Sequence, residues 1–343
     1  MEPPRVTQSS IAKKLGLTQS TVSRALRNDS SIPPDTRAEV QRAAQELNYS
    51  PDPYLSGLAS YRKRTTAARF HANLAWISND SDGRTWRSLS IFQEYHAGAS
   101  ERAAELGYTL EDFALRSEGM SHSRMERILH ARGIDGLLLA PQPTPNTILD
   151  FSFEQFSAIA FGYTLIKPQL HVVTMHHARS MKNAVSKMIE MGYQRPGMAV
   201  REESDARVDH SWSNTFNSLQ RQHFGSRERV PTLISKNFTD EIFLKWFQKH
   251  RPDVVISINV EPYGWLKKAG VRVPQEAGFA MISVQDNGEL LSGIHENPKI
   301  IGAKAVDFLI EMINRRERGV PDVPVFHLID GRWVDGQTVA YKS

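Results

Sequence analysis

The stretch LTQSTVSRALRN, residues 17–28, sets four hydroxyl side chains (Thr18, Ser20, Thr21, Ser23), Gln19 and two arginines (Arg24, Arg27) among only a few apolar residues. Gln and Arg can pair with purine edges through two hydrogen bonds at once, and Ser and Thr hydroxyls suit phosphate oxygens. The set therefore fits a surface that reads the major groove of DNA, with a merely solvated helix face as the alternative. The elements that would position it lie on either side. Ile11, Leu15 and Leu17, with Ala12, predict a short amphipathic helix ending at Gly16. Thr18 then caps a second helix, which turns Val22, Ala25 and Leu26 inward and Gln19, Ser20, Ser23, Arg24 and Arg27 outward. Two helices joined by a glycine-containing turn make a helix-turn-helix. Pro33 or Pro34 opens a third helix over 35–47, whose Val40, Ala43, Ala44 and Leu47 close a three-helix core.

The charge distribution agrees with this division of labour. Residues 1–66 carry ten Lys/Arg against six Asp/Glu, which accounts for the whole net charge of +4 and leaves the remainder neutral. A basic segment on a neutral body suggests that the N-terminus alone meets a polyanion. The chain of 343 residues, 40% hydrophobic, is long enough for two or three domains. It has no cysteine, which excludes disulfides and thiolate metal sites. With no secretory leader or long apolar run, a cytoplasmic protein is expected.

Taken together, VTQSSIAKKLGLTQSTVSRAL, IPPDTRAEVQRAAQELNYSPDP and LSGLA closely resemble the N-terminal headpiece of the LacI/GalR family of bacterial transcription repressors, over about sixty residues. The resemblance implies a homodimer that places two recognition helices in successive major grooves of a near-palindromic operator, and a hinge helix that folds on DNA and wedges a leucine into the minor groove. By position, Gln19, Ser20 and Arg24 match the family's base-reading residues. Thr7, Thr18, Thr21, Ser23 and Tyr49 match its phosphate contacts, and Leu58 matches the wedge. Pro53 and Gly57 depart from the family's hinge, and both weaken a helix in isolation.

Beyond the basic knot Arg62, Lys63, Arg64, apolar strand-like runs at 72–78, 108–115, 136–140, 158–163, 171–175, 197–200, 254–258 and 279–284 alternate with helical patterns at 92–106, 123–132, 178–191, 209–222 and 239–248. Such alternation predicts parallel sheets covered by helices, here too many strands for one small sheet and so two α/β lobes with a ligand cleft between them. ARGIDGLLLAP, NAVSKMIEMGYQRPGMAV, RPDVVISIN and AGVRVPQEAGFAMISVQDN resemble the family's effector domain, which shares the fold of periplasmic sugar-binding proteins. The expected organisation is a headpiece at 1–50, a hinge at 51–66 and an effector and dimerisation domain at 67–343. Crossings near 162–167, 287–293 and 319–323 would divide that domain into one lobe of about 67–165 and 290–322 and another of about 168–287 and 324–343.

The ligand positions fit the family less well. Gly162 and Tyr163, Met175 to His177, Val260 and Gln285 stand where the family commonly has Asp or Asn, so the resemblance does not extend to a simple hexose as effector. Trp86, Phe92, Arg207, Trp212, Asn259, Tyr263 and Asp286 are the expected cleft residues: aromatic faces stack on sugar rings, and Arg with Asp or Asn orients hydroxyls or a carboxylate. His176 and His177, near His171 and His210, raise the idea of a metal-dependent hydrolase. Adjacent histidines on a strand or turn point to opposite sides, however, and no carboxylate stands at ligand spacing, so no metal or other cofactor is expected. The sequence lacks a glycine-rich phosphate loop, a nucleophile elbow and paired carboxylates, so it does not read as an enzyme. A solute-binding protein with the same body is the competing function, disfavoured by the headpiece and the missing export signal.

Overall fold

The structure, a computed structural model, describes residues 7–26, 31–47, 49, 72–82, 85–284 and 291–342. The chain forms two compact units, Met1–Arg69 and Phe70–Ser343. The expected wedge Leu58 and the hinge departures Pro53 and Gly57 lie outside the described residues, as does Asp286.

In the first unit, helices α1 (Gln8–Leu15), α2 (Gln19–Leu26) and α3 (Pro34–Glu46) enclose Ile11, Val22, Ala25, Val40 and Ala43. The helix starts follow from side-chain chemistry. Thr7 accepts from the Ser10 amide while the Ser10 hydroxyl accepts from the Thr7 amide, closing a capping box on α1. Gly16, at φ 66°, ends α1 in the left-handed conformation that a side chain would resist. Thr18 Oγ1 accepts from the Thr21 amide, 3.2 Å, at the start of α2. Lys14 on α1 donates to Glu46 on α3, 2.6 Å.

The second unit runs β1 (Ala72–Ser78), α4 (Ser90–Glu105), β2 (Tyr108–Ala114), α5 (His122–Ala131), β3 (Ile134–Leu139), β4 (Thr147–Ile148), β5 (Ser157–Phe161), β6 (Leu165–Lys167), β7 (His171–Met175) and α6 (His177–Glu190). It continues through β8 (Pro196–Arg201), α7 (Glu202–Ala206), α8 (Ser211–His223), β9 (Leu233–Ser235), α9 (Asp240–His250), β10 (Val254–Ser257), α10 (Glu261–Lys268), β11 (Gly278–Met281), β12 (Ser292–His295), α11 (Pro298–Arg315), β13 (Phe326–Ile329) and β14 (Arg332–Val334). One sheet has the order β13-β7-β5-β3-β1-β2, the other β14-β12-β11-β10-β8-β9. All pairings are parallel except β12 with β14. The central strands β3 and β5 are buried almost throughout, as strands covered on both faces must be.

The sheets assign the lobes differently from the sequence reading. Strand β7 is hydrogen-bonded to β5 in the first sheet, so the first crossing falls at His176, not at 162–167, where β6 instead pairs with β4 inside the first lobe. Strand β12 belongs to the second sheet, so the second crossing is at 296–297. Strand β13 returns to the first sheet beside β7, and the third crossing follows at 330–331 rather than at 319–323. A strand's residue pattern records that it is buried; which strand it pairs with is a non-local matter. Helix α11 was absent from the sequence pattern because it is buried on two sides, against α4 and against the first sheet. Ile301, Gly302, Ala305, Val306, Phe308 and Leu309 therefore cover more than a single stripe. The short strands β4, β6, β9 and β14, of two or three residues, fall below the length at which alternation is readable.

Two glycines set the approach of α4 to α11. A Cβ at Gly98 would fall on the Lys299 backbone and one at Gly302 on the Tyr95 backbone, so the two helices touch main chain to main chain. This contact fixes the height at which Phe92 and Tyr95 leave α4. Gly302→Ala is expected to cost about 2 kcal/mol or more by forcing the helices apart. Gly264→Ala, in open space on α10, should be neutral or stabilise by about 0.5–1 kcal/mol. Thermal unfolding of the two variants beside the parent checks this; equal midpoints for both would refute the helix contact.

Candidate nucleic-acid interface and ligand cavity

Helix α2 presents Gln19, Ser20 and Arg24 exposed and Thr21 and Ser23 half-buried, because Val22 and Ala25 on its other face are wholly buried in the three-helix core. Thr18 Oγ1 lies 2.9 Å from Ser20 Oγ and 2.8 Å from Thr21 Oγ1, which gathers three hydroxyls at the N-terminus of α2, where the helix dipole favours an anion. Thr7 is exposed at the N-terminus of α1. Tyr49 packs on the core and its amide donates to Ala44 O, 2.9 Å.

In the second unit a cavity of about 360 Å³ is lined from both lobes. Phe92, Arg207, Trp212 and Asn259, four of the residues expected there, share its wall. Each is held by identifiable contacts. Trp212 stands at the start of α8, where the buried Asp205 carboxylate accepts from the Ser213 amide (3.2 Å) and the Ser213 hydroxyl (2.6 Å). Arg207 follows α7 and reaches across to the first lobe, donating to the carbonyls of Gln142 (2.9 Å) and Pro143 (3.0 Å) with its guanidinium 5.7 Å from the Phe92 ring centroid. Asn259 Oδ1 accepts from the Arg201 amide, 3.0 Å, while Arg201 also pairs with Glu261.

Two expected cleft residues are elsewhere. Trp86 is buried in the first-lobe core, its ring 4.6 Å from His96 and 5.4 Å from Trp76, because the turn Thr85–Ser88 folds inward against α4. Tyr263 stacks on Phe279, 5.5 Å, against the outer face of the second sheet, since α10 turns that side inward to pack. Aromatic character alone was too weak a signal to separate packing from ligand contact.

The cavity also holds residues that the sequence reading did not select. Glu296 lies in the second crossing and is nearly fully buried; it accepts a 3.4 Å hydrogen bond from the Tyr95 hydroxyl of the first lobe and another from Ser283 of the second. Burial raises its pKa to about 7, against the lowering effect of those two hydroxyls, and the Glu94 carboxylate pushes in the same direction as burial. His177, the first residue of α6, is buried edge-on to Trp212, 5.4 Å between centroids, and desolvation lowers its pKa to about 3, so it is neutral. Its Nδ1 and the Trp212 Nε1 are buried without a hydrogen-bond partner. No local sequence signal marks Glu296, because its burial arises only where the two lobes meet. Among the described residues no group of three or more His, Cys, Asp or Glu is arranged to hold a metal ion, and the His176–His177 pair contributes one buried side chain and one helix cap.

Glu296 and His177 act on stability in opposite directions. Between about pH 4.5 and 7 the unfolded chain releases the Glu296 proton while the folded chain keeps it, so this group lowers stability as pH rises. Between about pH 6.5 and 3 the unfolded chain protonates His177 while the folded chain does not, so that group lowers stability as pH falls. Glu296→Gln should therefore raise the thermal midpoint over the parent by an amount that grows from about pH 5 to about pH 8. A difference independent of pH would mean that this carboxyl ionises normally.

The profile of bacterial regulatory proteins of the lacI family matches residues 9–52. The chain is 25% identical over 191 residues to the HTH-type transcriptional regulator MalR of Streptococcus pneumoniae serotype 4, a match that spans 55% of each protein and thus about half the length of that relative. It is 21% identical over 339 residues to catabolite control protein A of Staphylococcus xylosus, covering 95% of this chain and 98% of that one. Among solved structures, the lac repressor dimer bound to operator and the anti-inducer ONPF superposes with a TM-score of 0.55 at 16% identity, over 98% of this chain and 99% of that one. Residues 9–52 are a lacI-family helix-turn-helix domain, carried by a chain whose relatives are transcriptional regulators and whose α/β body has the fold of the lac repressor.

Proposed function

We propose that this chain is a sequence-specific DNA-binding transcriptional repressor whose operator affinity is set by a small carbohydrate-related effector held between the lobes. The observation that carries the reading is the outer face of α2: Gln19, Ser20 and Arg24 stand exposed on a helix whose opposite side is locked into its own core, within the segment that matches the lacI family. Gln19, Ser20 and Arg24 are read as base contacts. Thr7, Thr18, Thr21, Ser23 and Tyr49 are read as phosphate contacts that fix register. The effector site is the interlobe cavity, whose volume suits a mono- or disaccharide-sized ligand. A homodimer supplies two headpieces to a near-palindromic operator, as in the solved lac repressor dimer on its operator. Transcriptional regulators of this kind are not enzymes, and the same is proposed for this chain; no helix of the described residues is long and apolar enough to cross a membrane, and the cytoplasm is its proposed compartment.

Selection of binding sites from random duplexes by the full chain should return an inverted repeat, with affinity that falls steeply with salt. Recovery of no enriched motif would sink the reading. Arg24→Ala should relax preference at one base pair in each half-site and cost about 1–3 kcal/mol per contact, whereas Ser23→Ala should weaken all sequences evenly. If neither variant changes base preference, Arg24 is a phosphate anchor.

A further inference from the structure

The charged groups on the cavity wall are unequally provided for. Glu261 is paired with Arg201, and Arg207 is engaged by the Gln142 and Pro143 carbonyls. Among the described lining residues, Glu296 is left as the carboxyl without a cation, and the charge that acts on it, Glu94, has its own sign. A buried carboxylate in this position is costly until a cation reaches it.

The surface next to Glu296 is aromatic. The Tyr95 ring, whose hydroxyl donates to the carboxylate, lies 5.8 Å from Phe92 and 5.5 Å from Phe161 between centroids, and all three line the cavity. Electron-rich ring faces beside an unpaired carboxylate stabilise an ammonium twice over, by the ion pair and by the ring quadrupoles. The same faces suit the C–H face of a sugar ring. Elsewhere on the wall the unpartnered Trp212 Nε1 can donate to a hydroxyl, and His177 Nδ1 offers a second free polar atom. A neutral hexose would use those groups yet supply no cation for Glu296, whose carboxyl would keep its proton below about pH 7.

We propose that the effector is an amino sugar, its protonated amine on the Glu296 carboxylate and its ring against Phe92, Tyr95 and Phe161. This rests on the reading of the cavity as the effector site. Binding is a proton exchange: the ammonium form of the ligand enters, an ion pair forms, and the proton that the carboxyl carries below about pH 7 goes to solvent. Tyr95 on α4, Ser283 after β11 and the Glu94 carboxylate are the polar and charged groups that act on Glu296. Two of the three are neutral hydroxyls and the third is an anion, so none of them competes with the ammonium.

Glucosamine, galactosamine and mannosamine, each beside its N-acetyl derivative and its parent hexose, should be titrated calorimetrically into the full chain at about pH 6 in two buffers of different ionisation enthalpy. At least one amine is expected to bind about tenfold or more tightly than both neutral counterparts and to release close to one proton. Glu296→Gln should abolish that preference and the proton release while keeping the cooperative thermal transition. Equal affinity of every amine and its neutral counterparts, absence of amine binding, or an amine preference that survives in the glutamine variant would each overturn the proposal. A neutral sugar that binds and releases operator while no amine does would refute the amine and leave the repressor reading intact. An amine that binds with the expected proton release but leaves operator affinity unchanged would support the ligand class and refute the coupling.

Discussion

The body of this protein depends on how its two lobes are joined. The chain passes between the sheets three times, and the three passages are hydrogen-bonded to one another: the His176 amide donates to Ile329 O, 2.8 Å, and Asn297 Nδ2 donates to Asp330 O, 2.9 Å. Asn297 adopts φ 57°, a left-handed conformation that Asn tolerates better than most residues, and a Cβ at Gly331 would meet Ile294 and Ser180. Three strands of chain tied side by side restrict the lobes to a hinge rather than independent diffusion. Glu296, within the second passage, and His177, immediately after the first, are thereby placed on the wall of the cavity.

Arg207 adds a contact made from one lobe to the other. Its guanidinium gives two hydrogen bonds to first-lobe carbonyls from the end of α7 in the second lobe, across the same space a ligand would occupy. Burial depresses its pKa, yet a guanidinium keeps its proton at any physiological pH, so the contact persists as a charge-assisted clasp. A ligand that competes for Arg207, or that draws the lobes closer around Glu296, would favour one lobe arrangement over another only through its differential contacts with them, as any shift of state requires.

The headpiece solves a smaller problem by local means. Its helices are eight, eight and thirteen residues long, too short to be stable alone, and they hold because a handful of apolar side chains close one core. With that core fixed, the polar face of α2 has a defined direction. The hydroxyls of Thr18, Ser20 and Thr21 satisfy one another and the first turn of the helix.

The headpiece was legible in the sequence almost residue by residue. Capping by Thr7 was the exception, but Gly16, Thr18 and the inward Val22 and Ala25 follow from rules that act within one or two helical turns. The α/β alternation of the body was legible for the same reason, and β1 and β7 fall where their apolar runs predict. Tertiary structure alone decided the rest. Which sheet β7, β12 and β13 join depends on hydrogen bonds between distant segments, so the lobe crossings moved. Trp86 and Tyr263 have the composition of ligand contacts and are packed away from the cavity, because an aromatic ring fills a core and a binding site by the same physics. Glu296 was invisible for the converse reason: a glutamate in the sequence is ordinarily solvated, and only the meeting of two lobes around it removes its water and makes its charge matter.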